Sequence, residues 1–275
     1  MNQDKQLKGL LLPPKGFVSR APALMAAPSV KLLDWKKIKE VAESGKMDGR
    51  KLYGSRFVIQ QKHNNCAGAS SSRIMAKTLY DARGIVAELS DTYVYSLING
   101  GHDQGSMLAD AMEAIETRGT CLRSRCGPDA IFRTQYDTHA ADAEAKSFRA
   151  IECYAIRPRD FATTDELWRG IWSALCLGFK LECAVQAGSS FDRMNTDFIV
   201  GVDNGSGNHA VHADGIALSD GDRIVGTGEN TWGTWWNQEG RMLMTENHWE
   251  QTVEAHEFFA VRGVQSNPSD TRPKL

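Results

Sequence analysis

The chain has 275 residues and a formal charge of −2, from 32 Lys+Arg against 34 Asp+Glu. Its 41% hydrophobic and 24% charged residues supply a sizeable core and exclude a disordered chain, a collagen and a coiled coil. No basic surplus or basic stripe is present, so nucleic acid is not an expected partner. No stretch approaches the roughly 20 uncharged apolar residues that span a bilayer, so a membrane is not expected either.

Residues 1–31 are rich in Pro, Ala, Lys and Gly without a period and read as an extended arm. Its one apolar run, Leu10-Leu11-Leu12, stops at Pro13-Pro14. A signal peptide wants about 7–15 uninterrupted apolar residues, so Sec export is not expected. A short amphipathic segment follows at 32–41, and 45–54 reads as loop. Helical spacing of Ile74, Met75, Leu79 and Tyr80 predicts a helix over 66–83, stopped by Gly84. Ser90-Asp91 caps a second helix over 92–98, a third runs over 107–118 to Gly119, and a fourth over 165–177. Short β-like runs then appear at 180–186, 198–202, 210–218, 223–227, 241–245 and 257–261, separated by turn signals. Helices first and strands later is an α+β pattern. The tail from Gln265 reads as loose.

Six cysteines without a signal peptide read as reduced thiols rather than three disulfides. Cys121 and Cys126 lack the second pair that a zinc site needs, so no metal or other cofactor is expected. Cys66 differs, because it opens a predicted helix, where unpaired N–H groups and the macrodipole favour a thiolate. Gln60, six residues upstream, offers an amide that with the Cys66 N–H would hold an oxyanion. Downstream, Asn208-His209-Ala210-Val211-His212 begins a predicted strand, and the two histidines fall on its opposite faces. At most one of them can face Cys66. Asn230-Thr231-Trp232-Gly233 then offers an amide oxygen to orient an imidazole and an indole to shield that bond.

The set resembles the papain family of cysteine peptidases. The family's pattern runs Gln, Cys at the start of a central helix, His-Ala-Val with a following Gly, then Asn-Ser-Trp-Gly-x-x-Trp-x-x-x-Gly. Here the chain reads Gln60, Cys66, His209-Ala210-Val211 with Gly215, and Asn230-Thr231-Trp232-Gly233 with Trp236 and Gly240. His209 lies 143 residues after Cys66, inside the family's separation of about 130–150. The resemblance covers residues 32–262 in scattered blocks. It implies a two-lobed domain: a helical lobe over about 55–165 whose central helix starts at the nucleophile, and an antiparallel, barrel-like β lobe over about 178–262. Residues 263–275 would be a loose tail.

The implied activity is thiol-dependent endopeptidase cleavage of a peptide or protein substrate. Cys66 would be the nucleophile, His209 its base and acid, Asn230 the residue that orients His209, Gln60 the oxyanion donor, and Trp232 the shield. Gly105 would pair with substrate backbone, and loose alignment places Met107, Cys183, Asn208 and Ala210 around the pocket. Two departures from the pattern stand out. Ala67 replaces the usual Trp after the nucleophile, and the Cys that normally precedes it is missing. The segment before Cys66 is also shorter than the family's helical inhibitory segment. These features fit a divergent microbial or viral branch, cytoplasmic or virion-associated. They also support an alternative, in which the fold is kept as an assembly module with weak or no activity and its two arms contact neighbouring proteins.

Overall fold

The computed structural model describes residues 7–27 and 30–265. Its pivot is helix α3 (Cys66–Arg83), in which every residue from Cys66 to Leu79 is buried. Its bounds and its stop at Gly84 are those the sequence pattern predicts. Around α3 stand α1 (Trp35–Ser44), α2 (Gly49–Tyr53), α4 (Asp91–Ile98) and α5 (Leu108–Thr117). Further along the chain come α6 (Thr138–Ala145), α7 (Thr164–Cys176) and α8 (Thr252–Ala255). The Ser90 hydroxyl caps α4 by accepting the Tyr93 N–H, as its sequence signature requires.

Six strands form one antiparallel sheet in the order β1-β6-β2-β3-β4-β5. They are β1 (Arg149–Ile156), β2 (Lys180–Val185), β3 (His209–Leu218), β4 (Ile224–Glu229), β5 (Arg241–Met244) and β6 (Phe258–Gln265). Helix α3 lies against β2, β3 and β6, so the helix that starts at Cys66 rests on the strand that starts at His209.

Three features differ from expectation. Strand β1 comes from the stretch read as helical and joins the sheet by pairing with β6 along its length. Helices α2 and α6 were not foreseen, because five and eight residues leave little room for a periodic signal. The run at 198–202 makes only isolated bridges, Met194 with Val200 and Ile199 with Leu243; Phe198 has a φ of 61°, which breaks extended pairing. At the far end, β6 continues to Gln265, and the tail 266–275 lies outside the described residues.

The arm does not project. Leu24 is fully buried, the Ala155 N–H donates to Pro22 O, and the Arg157 guanidinium donates to the carbonyls of Ser19 and Ala21. Nearer the start, Leu10 bridges Ser106 in parallel.

Candidate active site

Strand β3 decides which histidine meets the thiol. Alternation sends His209 and His212 to opposite faces, and both are wholly buried. His209 Nε2 lies 2.7 Å from Asn230 Oδ1. The Trp232 ring stacks on the imidazole at 4.7 Å between centroids and 28° between planes; Phe191 and Trp236 both meet it edge-on and stack on each other. Among the described residues His209 Nδ1 has no hydrogen-bond partner. Burial drives the imidazole pKa down to about 4; the Asn230 contact opposes this and the Lys8 cation adds to it.

Cys66 lies at the α3 N-terminus, also wholly buried. Burial pushes its thiol up to about 11, against the pull of three N–H groups aimed at the sulfur from Ala210, Gly9 and Ala67; buried Glu182 raises it further. Ala210 directly follows His209, and its backbone N–H acts on the Cys66 thiol, although no hydrogen bond joins that thiol to His209 Nδ1. In this state both are uncharged.

The loop before α3 is fastened by Asp103, which accepts the Asn64 N–H at 2.9 Å, and by Asp91, which accepts the Asn65 amide at 2.8 Å. Gln60 and Gln61 lie on an extended stretch bridged to Trp232, so they too alternate. Gln60 is exposed, and Gln61 is 4% exposed. Its Oε1 takes the Thr231 hydroxyl, and its Nε2 donates to Leu7 O at 3.2 Å and His63 O at 2.9 Å.

Gly105 has its N–H engaged within the loop. Its N–H is spent on the Tyr95 hydroxyl at 3.0 Å, and the backbone that pairs with an extended segment is that of Ser106. Gly105 is still needed there: its φ of 102° suits glycine, and a Cβ would sit 2.2 Å from Gly9 O. Asn208 offers its carbonyl to Leu10 N at 3.3 Å, while its side chain ties down Ala187. Cys183 is buried with its sulfur on Val211 O, and Met107 lies beside Pro13 and Phe17. A cavity of about 270 Å³ opens between residues 17–21 and α5, but none of its lining residues belongs to this site.

Behind the site, His212, Asp214 and Glu229 bring ligand-type atoms within 4.8 Å of one another. The position a metal would take is held by the Lys77 ammonium, 2.7 Å from His212 Nε2, 2.5 Å from Asp214 and 2.8 Å from Glu229. Arg241 reaches the same carboxylates at 2.9 and 2.6 Å. Two cations against two anions make a closed ionic network.

By sequence, the chain matches no family model and no curated protein. By structure it matches cysteine proteases. Xylellain, a cysteine protease from Xylella fastidiosa, superposes with a TM-score of 0.62 over 94% of this chain and 97% of that one, at 15% identity. Procathepsin B S9 from Trypanosoma congolense gives 0.60 over 93% and 86%, at 14% identity. Bromelain from Ananas comosus, complexed with the E64 inhibitor, gives 0.57 over 77% and 96%, at 17% identity. The fold is that of the papain-like cysteine peptidases.

Proposed function

We propose that the chain hydrolyses peptide bonds with Cys66 as nucleophile. What carries this reading is the 2.7 Å His209–Asn230 contact, capped by Trp232, on the strand against which the helix opened by Cys66 packs. His209 takes the thiol proton, and the sulfur attacks the scissile carbonyl carbon. The Cys66 N–H and the Gln61 amide, in place of Gln60, hold the resulting oxyanion. His209 returns the proton to the departing amine and leaves a thioester. It then draws a proton from water, which attacks the thioester and frees the acid and the thiol. Asn230 fixes the imidazole ring through its amide oxygen, and Trp232 excludes water from that bond.

The test is cleavage of a denatured protein by the chain and by its Cys66→Ala and His209→Ala forms, all verified as folded. Either substitution lowers the rate by about 10³-fold or more. Hydrolysis that persists in Cys66→Ala overturns the reading. The assembly-module alternative predicts no cleavage by the unaltered chain in the same experiment.

A further inference from the structure

Glu182 projects from β2 onto the opening turns of α3 and is wholly buried. Its Oε2 lies 2.8 Å from Ser71 Oγ, and no ion pair reaches it among the described residues. Across the sheet it pairs with Phe259 of β6 and with the neutral His212 of β3. The thiols of Cys66, Cys153 and Cys183 lie within reach of its field. The nearby cation, Lys77, is spent on His212 Nε2, Asp214 and Glu229, one N–H for each. An isolated carboxylate in such surroundings is costly, and the group keeps its proton instead.

The hydrogen-bond geometry requires the same proton. Ser71 has a single hydroxyl hydrogen, and its Oγ also lies 2.7 Å from Ala67 O, which can only accept. Ser71 therefore donates to Ala67, and the proton between Ser71 and Glu182 comes from Glu182. His212 cannot take that proton, because its Nε2 accepts from the ammonium and its Nδ1 already carries a hydrogen. Ala67 directly follows Cys66, and its own N–H is aimed at the sulfur. An anion at Glu182 would push the thiol up, so an acid there spares the thiolate.

We propose that Glu182 is a positioning residue for Cys66 that works as an uncharged acid: its O–H donates to Ser71, Ser71 donates to Ala67 O, and this chain fixes the opening of α3 with no negative charge behind the nucleophile. The role of Cys66 as nucleophile rests on the peptidase reading above; the hydrogen-bond chain does not.

The test uses four full-length chains, each checked by thermal unfolding: the unaltered protein, Glu182→Gln, Glu182→Met and Ser71→Ala. Glutamine is uncharged and still donates to Ser71, methionine keeps the length and donates nothing, and alanine at 71 cuts the same link from the helix side. The infrared difference between the unaltered chain and Glu182→Gln at about pH 7 should contain the carbonyl band of a protonated carboxylic acid. Iodoacetamide labelling of Cys66, mapped by peptide between about pH 5 and 8, should agree within about threefold in Glu182→Gln and the unaltered chain. It should be at least about tenfold slower in Glu182→Met and Ser71→Ala, with Cys121 and Cys176 unchanged.

A missing band, or labelling of Glu182→Gln more than about threefold faster, would show an anion at Glu182 and overturn the proposal. Labelling in Glu182→Met and Ser71→Ala that matches or exceeds the unaltered chain also overturns it, and leaves Glu182 as packing alone. None of these readouts needs turnover. If they come out as expected while no chain cleaves a denatured protein, the hydrogen-bond chain stands and the peptidase reading falls.

Discussion

On one face of β3, His209 meets an amide and an indole; on the other, His212 meets an ammonium and a carboxylate. The two imidazoles share a strand, are equally buried, and are both held below the ordinary histidine pKa by that burial. Each also leaves Nδ1 without a hydrogen-bond partner among the described residues. What separates them is the company that β4 supplies. Asn230 directly follows that strand and meets His209, and its neighbour Glu229, the last residue of β4, pairs directly with His212. Adjacent residues thus serve a neutral pocket and a charged network that is locked. Burial and residue type alone do not mark a working histidine; neighbours whose charge and hydrogen bonds are already committed rule one out.

The largest expected effect falls on the locked face. Lys77→Met leaves Asp214 and Glu229 facing Arg241 alone, and denaturant unfolding should show a loss of about 3–5 kcal/mol. A loss below about 1 kcal/mol would mean that the network is not what joins α3 to β3 and β4. On the other face, Gln61→Ala should lower kcat/KM by about 10²–10³-fold. Gln60→Ala should stay within about threefold, and the reverse result would return the oxyanion role to Gln60.

The third effect is acid sensitivity. Both histidines are neutral in the fold and take up protons near pH 6.5 when unfolded, so the unfolded chain binds more protons below that pH. Stability therefore falls as pH drops below about 6.5. His209 alone accounts for a loss on the order of 3 kcal/mol by pH 4. Glu182, whose carboxyl burial holds well above its ordinary value, acts in the opposite sense above about pH 4.5. His209→Gln and His212→Gln should each remove a separate part of the acid slope in urea titrations between pH 4 and 7. A slope unchanged in both would show that neither is buried neutral.

Much of this frame is legible in residues close together in the chain. The span of α3, the Ser90 cap and the alternation of His209 and His212 are local rules, and all appear as expected. The juxtaposition of His209 and Asn230 was legible because the Asn-x-Trp-Gly block is distinctive. Other features depend on contacts that spacing does not encode. Two adjacent glutamines alternate, and only the folded chain shows that Gln60 bridges Trp232 while Gln61 is the buried one. The Gly105-Ser106 pair poses the same one-residue ambiguity. Strand β1 carries no clean alternation of apolar residues, and pairing with β6 more than a hundred residues away makes it a strand. Leu10-Leu11-Leu12 is too short to span or to signal, and its partners Asn208 and Ser106 lie about two hundred and one hundred residues downstream.

Trp232 lies where these threads cross. Its ring covers His209, its N–H holds Leu7 O, and its surface is 3% exposed. Covered and hydrogen-bonded, this indole is shielded from water. It is one of seven tryptophans, so the difference in emission between the unaltered chain and its Trp232→Phe form carries the state of its surroundings as light.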